Sequence, residues 1–133
     1  IYYRGVKGRQ SNQLMKLAFL FRTAPHGSAV SREGLDAVLA ATAFCCEHDI
    51  GVFFIDDGVF NLLMGQQPEN ILQKDFIRMF KLLDLYDIQQ RFICTESLRR
   101  FGIEEADFVL SMQKIDRTSL IKKLSRAEKI FTF

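Results

Sequence analysis

Short apolar segments that alternate with longer amphipathic segments are the feature that most restricts the fold of this chain. The apolar segments are five or six residues long and rich in β-branched and aromatic residues, as buried strands are. We predict five strands, over Lys16–Phe21, Ile50–Ile55, Arg91–Thr95, Phe108–Met112 and Lys129–Phe133. Because helical segments separate most of them, the strands should be parallel and joined by crossovers. The pattern therefore predicts an α/β protein: a single three-layer α/β/α domain with a mostly parallel five-stranded sheet.

The helices between the strands are predicted from capping residues and from apolar spacing. Ser31 is placed to cap the first helix, Asp57 to cap the second, and Gly102 to follow the end of the fourth. A loop is expected over Met64–Pro68. The predicted helices are one from Ser31, a short one over Val59–Leu63, a long one marked by Leu72, Phe76, Met79, Phe80 and Leu83, a short one over Ser97–Phe101, and one over Thr118–Ala127.

Residues 1–14 differ in character from the rest of the chain. They carry three basic residues and no acid, and Met15 resembles a natural start, so we interpret residues 1–14 as a non-native or upstream extension and residues 15–133 as the single domain. Of 18 basic and 16 acidic residues, 15 basic and 16 acidic remain after residue 14, a net charge of −1. A nucleic-acid-binding domain is usually basic, so direct nucleic acid binding is not expected.

The remaining composition indicates a cytoplasmic protein. No apolar segment approaches the ~20 residues of a membrane span. Three cysteines, of which Cys45 and Cys46 are adjacent, do not form a disulfide framework.

Ligands of open α/β sheets bind at the carboxyl ends of the strands. Four segments qualify here: Thr23–Ser31, Asp56–Phe60, Thr95–Leu98 and the turn after Met112. The first contains His26, which either relays protons or simply bonds to the backbone of its turn. Asp56 and Asp57 point to opposite faces of an extended chain, which is poor geometry for a carboxylate pair. With no dinucleotide fingerprint, P-loop or histidine-rich spacing, we expect no cofactor and no metal ion.

The three cysteines have different expected environments. Cys45 and Cys46 fall seven residues after Val38 and Leu39, so both continue the apolar stripe of the first helix and are expected to fill the core. Cys94 ends the third strand just before a short helix, whose dipole favours a thiolate. The alternative for Cys94 is a thiol packed in the core, on the face that it shares with Phe92.

Three sequence blocks give the chain a resemblance to the TusC family, which is related to the DsrF subunit of DsrEFH. The blocks are FRTAPHGSAVSREGLD over residues 21–36, VFFIDDGVF over residues 52–60 and FKLLDLYDI over residues 80–88. Cys94, the SLRR sequence from Ser97 to Arg100 and Gly102 also fit the family pattern. The likeness extends over residues 15–133.

The resemblance implies a role in a sulfur relay. In the family, TusB-, TusC- and TusD-type subunits form a heterohexamer that receives sulfur through TusA and passes it through TusE for 2-thiolation of the tRNA wobble uridine. The sulfur-carrying cysteine belongs to the TusD-type chain, and Cys94 aligns about one residue from it, a shift that reverses the face of a strand side chain. The resemblance therefore implies a mainly structural subunit without an essential catalytic residue, with Cys94 as the candidate if one exists. The alternatives are a stand-alone DsrE-like sulfurtransferase using Cys94, and a flavodoxin-like small-ligand binder using the Thr23–Ser31 loop.

Overall fold

The computed structural model describes residues 15–25, 29–63 and 79–133. Its sheet has five strands, in the spatial order β4-β3-β2-β1-β5, and every neighbouring pair is parallel. The strands are β1 (Leu17–Phe21), β2 (Ile50–Phe54), β3 (Gln90–Cys94), β4 (Gln113–Ile115) and β5 (Lys129–Thr132). The predicted α/β fold with a parallel five-stranded sheet is confirmed.

The strand order explains which face of the sheet each helix covers. From β1 to β4 the chain moves in one direction across the sheet, so right-handed crossovers place their helices on one face, and the return from β4 to β5 uses the other. Buried Leu35, Leu62 and Leu98 accordingly share one core, while Leu120 and Leu124 belong to the second. The helices are α1 (Val30–Ala41), α2 (Leu82–Leu85), α3 (Thr95–Arg100) and α4 (Arg117–Ser125), with 3-10 helices at Glu47–Asp49 and Asp56–Leu62.

Aromatic side chains fill both cores. In the larger one, Phe21 stacks on Phe54 with ring centroids 4.9 Å apart, and the edge of Phe80 meets Phe21 at 5.5 Å. In the smaller one, Phe53 stacks on Phe92 at 5.1 Å, beneath α4. All five residues of β2 are buried, because this strand lies between the two cores at the centre of the sheet.

The prediction of a strand over Phe108–Met112 is wrong. Phe108 forms only an isolated antiparallel bridge with Leu63, and Val109 and Leu110 are buried in the larger core as part of a loop. The strand β4 begins at Gln113, where exposed side chains flank a backbone that pairs with β3. Apolar composition therefore marked a buried loop, whereas the edge strand depends on backbone pairing.

Both predicted N-caps are also wrong. Ala29 precedes α1 without a side-chain cap, and buried Ser31 lies within the helix and donates from Oγ to the carbonyl of Thr23 at 2.8 Å. Ile55 precedes the helix Asp56–Leu62, so Asp57 lies in its first turn. Gly102 does follow α3, with a φ of 67° that glycine adopts without strain.

Part of the predicted organisation falls outside the described residues. This holds for the extension over residues 1–14, the loop Met64–Pro68 and the predicted long helix as far as residue 78. Leu83, the last predicted position of that helix, is buried in α2. Among the described residues, helices are too short or too polar to cross a membrane.

Candidate functional site

A cleft of about 440 Å³ lies at the carboxyl edge of the sheet. It opens where β1 and β5 are neighbours, which is where the direction of the chain across the sheet reverses. Such a switch point is the usual position of a ligand site in an open α/β sheet, since the loops on either side diverge there. The cleft is lined by Arg22, Thr23, Asp56, Asp57, Arg100, Thr132 and Phe133.

Asp56 connects the elements around this cleft. Its carboxylate accepts a hydrogen bond from Nη1 of Arg117 at 3.0 Å and forms a longer ion pair with Nη2 of Arg22 at 3.9 Å. Its backbone N–H donates to Oγ of Ser97, in α3, at 2.8 Å. Asp56 has a φ of 52°, in the left-handed region, where a side chain other than glycine costs about 1–2 kcal/mol. The three contacts hold this strained residue in place between the segment that follows β1, α3 and α4.

The loop after β1 is anchored where it leaves the sheet. The carbonyl of Thr23 accepts hydrogen bonds from Ser31 Oγ and from Asn61 Nδ2, both at 2.8 Å. Asn61 is fully buried, and among the described residues its Oδ1 has no hydrogen-bond partner. His26, predicted as a candidate in this loop, lies outside the described residues.

Cys94 is enclosed at the end of β3. It has no exposed surface and belongs to the smaller core, on the same face as Phe92 and opposite to Ile93, as strand alternation predicts. It immediately precedes α3, and its thiol donates to Oε1 of Glu96 at 3.6 Å. A sulfur donor therefore has no direct path to this sulfur in the conformation that the structure shows.

Glu96 links Cys94 to the start of α4. Its Oε1 accepts hydrogen bonds from the backbone N–H of Arg117 at 2.8 Å and from Oγ1 of Thr95 at 3.2 Å. These bonds, above all the one from Arg117, lower the pKa of Glu96 below its usual value. The hydrogen bond to Asp56 raises the pKa of the Arg117 guanidinium above its usual value, which is already high. Both groups are therefore charged at neutral pH.

The adjacent cysteines are not equivalent. Both lie beyond α1, which ends at Ala41. Cys45 is partly buried against the larger core, but Cys46 is exposed, so the prediction that Cys46 fills the core is wrong. The prediction continued the helical spacing of α1 beyond Ala41, where the helix ends. The side chain of Cys46 is exposed in the turn that follows. The thiol of Cys46 lies 3.3 Å from Nδ1 of His48.

Three of the four expected segments follow strand ends, but the fourth, the turn after Met112, is wrong because strand β4 begins there at Gln113. The charged residues that join the segments were not predicted. Asp56 and Ser97, from two of the expected segments, are in contact, and Glu96 connects Cys94 to Arg117. Arg22 and Glu96 could have been identified from the sequence, because each lies within two residues of a strand end. Arg117 could not have been identified in this way, since it is 61 residues from its partner Asp56.

The sheet order and the switch-point cleft define a small protein with an open, parallel α/β sheet. The sequence profile of the DsrE/DsrF-like family matches residues 15–133, and the chain belongs to this family.

Proteins from three bacteria are similar to this chain over their whole length. A protein named Protein TusC homolog from Haemophilus influenzae is 66% identical over 119 residues. Proteins of the same name from Pasteurella multocida and Vibrio parahaemolyticus are 58% and 51% identical. Each alignment includes 90% of this chain and 100% of the relative.

A solved structure shares the fold. The crystal structure of the YchN protein from E. coli superimposes with a TM-score of 0.72, over 90% of this chain and 99% of YchN. At 21% sequence identity this likeness supports the fold alone.

Proposed function

We propose that this chain is a structural subunit of a cytoplasmic sulfur-relay complex that supports 2-thiolation of the tRNA wobble uridine. In this proposal it assembles with TusB-type and TusD-type subunits into a heterohexamer, and TusA and TusE act before and after the complex. The TusD-type partner carries the sulfur. The similarity to proteins named TusC homolog supports the assignment to this kind of complex.

The environment of Cys94 is the observation that carries the structural role. A persulfide carrier must expose its sulfur to a donor and then to an acceptor. Cys94 is fully buried, and its thiol is engaged with a carboxylate. Ile115, from β4, packs against the same core, so Cys94 is enclosed by neighbouring strands and by α4.

The edge strand β5 offers a surface for a partner subunit. Among the described strands it pairs only with β1, and its side chains Ile130 and Phe131 are 46% and 41% exposed. An exposed apolar edge strand favours pairing with another chain. The opposite edge, β4, is short and presents Gln113 and Lys114, which do not favour an apolar contact. We therefore infer that β5 faces a partner in the complex.

Substitution of Cys94 tests the proposal. The thiouridine content of tRNA is measured in cells whose only copy carries Cys94→Ser, and the intact complex is weighed by native mass spectrometry. Cys94→Ala is a second variant in case a buried hydroxyl disturbs folding, and Cys45→Ser is a matched control. A structural subunit should keep its partners in every variant and retain most of the thiouridine.

The alternative is a sulfurtransferase that uses Cys94 itself. Its support is the position of Cys94 directly before α3, at the carboxyl edge of the sheet. A hydroxyl or methyl group cannot hold a persulfide, so in that case both Cys94 variants would lose thiouridine as completely as a gene deletion while the complex still assembled. That result would replace the structural role with the catalytic one.

A further inference from the structure

Three different metal-binding groups lie together on the surface, away from the carboxyl-edge cleft. They are the thiol of Cys46, the carboxylate of Glu47 and the imidazole of His48, and their ligand atoms all lie within 4.8 Å of one another. Sγ of Cys46 is 3.3 Å from Nδ1 of His48, and Oε1 of Glu47 is 3.6 Å from the same nitrogen.

These separations are close to the edges of a tetrahedral zinc site. Bond lengths of about 2.3 Å to sulfur and about 2.0–2.2 Å to nitrogen or oxygen give ligand separations of roughly 3.6 Å for sulfur and nitrogen and roughly 3.4 Å for nitrogen and oxygen. The two observed distances differ from these values by a few tenths of an ångström. The third pair, Cys46 and Glu47, lies within 4.8 Å, against roughly 3.6 Å for sulfur and oxygen in a tetrahedral site. Side-chain rotations that bring this pair to that separation would place one ion at bonding distance from all three atoms.

The backbone that carries the three groups is held on both sides. The carbonyl of His48 accepts a hydrogen bond from Nε2 of Gln90 at 2.6 Å, and the carbonyl of Asp49 accepts one from the N–H of Lys16 at 2.8 Å. Asp49 in turn donates to the carbonyl of Cys46 at 2.9 Å, which closes the turn. The backbone of this turn is therefore already ordered before an ion binds, which lowers the entropic cost of binding.

The side chains remain accessible to an ion from solvent. The side chain of His48 is 82% exposed and that of Glu47 is 41% exposed. A thiolate with an imidazole and a carboxylate selects zinc and similar transition metals over magnesium or calcium, which prefer oxygen ligands alone. Three protein ligands leave a fourth position for water or for a donor from a partner.

We propose that Cys46, Glu47 and His48 bind one divalent transition-metal ion per chain, with Zn²⁺ preferred. On binding, the Cys46 thiol loses its proton to the buffer and the sulfur forms a bond to the metal, with no change of oxidation state. This site is independent of the proposed sulfur-relay role.

Cobalt substitution tests the site directly. The full chain, kept reduced with a phosphine, is titrated with Co²⁺ and then with Zn²⁺ as competitor. We expect a thiolate-to-cobalt charge-transfer band that saturates at one equivalent and is abolished when Zn²⁺ displaces the cobalt. Cys46→Ser should remove the band, and His48→Ala and Glu47→Gln should each weaken Co²⁺ binding at least about tenfold, because loss of even an outer partner costs that much.

The neighbouring thiol provides the matched control. Cys45 is adjacent in sequence but packs against the core, so Cys45→Ser should keep the band and the affinity. Circular dichroism checks that each variant is folded. Absence of a charge-transfer band up to millimolar Co²⁺, or a band that survives Cys46→Ser, would overturn the proposal.

Discussion

Replacement of Gly58 by alanine should disrupt the connection between β2 and the carboxyl-edge cleft. A Cβ at this position would lie 1.9 Å from the carbonyl oxygen of Phe21, 2.4 Å from its carbonyl carbon and 2.9 Å from the nitrogen of Arg22. All three are backbone atoms, which cannot rotate away as the end of a side chain can. The backbone must separate by about 1.1 Å for the closest contact to reach 3.0 Å.

The cost follows from what that separation breaks. The carbonyl of Phe21 also accepts a hydrogen bond from Ile55 at 3.1 Å, and an unsatisfied buried group costs about 1–3 kcal/mol. Overpacking adds about 1–3 kcal/mol. Gly58→Ala should therefore lower the free energy of unfolding by about 2–6 kcal/mol, a large share of the 5–15 kcal/mol typical of a domain. Asp56, two residues earlier, should lose its alignment with Arg117.

Urea denaturation measures this loss, with Gly102→Ala as the control. Gly102 has a φ of 67°, and among the described residues nothing lies within 4 Å of the position that a Cβ would occupy there. Alanine at Gly102 therefore meets only backbone strain, at about 1–2 kcal/mol. The slope of the unfolding free energy against urea concentration should be the same in both variants as in the wild type. If Gly58→Ala is no less stable than Gly102→Ala, the close approach of Gly58 to β1 is not a packing constraint.

Three further perturbations test the site and its surroundings. Arg117→Gln removes the ion pair with Asp56, whose two groups are partly exposed, so the free energy of unfolding should fall by no more than about 1 kcal/mol. A larger loss in urea denaturation would show that the pair is more than a surface contact. Burial, reinforced by the charge of Glu128, raises the pKa of Asp49. The free energy of unfolding of the wild type, relative to that of Asp49→Asn, should therefore fall as pH rises through the pKa of Asp49 in the folded protein. A difference between the two proteins that stays constant with pH would contradict this. A thiol reagent followed by peptide mass spectrometry should label Cys46 first and Cys94 only as fast as the protein opens, whereas equal labelling rates would contradict the burial of Cys94.

The buried strands could be predicted from sequence because their environment determines their composition. The predicted Ile50–Ile55 agrees with β2 to within one residue, and the same holds for β1 and β3. The edge strand β5 is also predicted to within one residue, although its side chains are exposed. A strand covered on both faces needs an unbroken run of apolar residues, and such a run is visible in sequence. The short edge strand β4 has no such requirement, so the buried loop beside it was mistaken for the strand.

Side-chain direction was predictable only where regular structure continued. Alternation along β3 correctly placed Cys94 with Phe92. Extrapolation of the α1 stripe failed for Cys46, because the helix had already ended and nothing local marks where a turn will point its side chains. The capping predictions for Ser31 and Asp57 failed for a related reason: both residues suit a cap, but tertiary contacts with the loop after β1 and with the end of β2 set where each helix begins.

The sequence alone determined the fold class, the central strands and three of the four expected segments at the carboxyl edge of the sheet; the fourth, after Met112, is strand β4 itself. Only the tertiary structure decided which distant residues meet: Asp56 with Arg117, Asp56 with Ser97, and Glu96 with the backbone of Arg117. Local patterns record burial and periodicity, which act over a few residues. Contacts between residues far apart in the chain depend on strand order and on the face that each crossover covers, and these follow from the packing of the whole sheet.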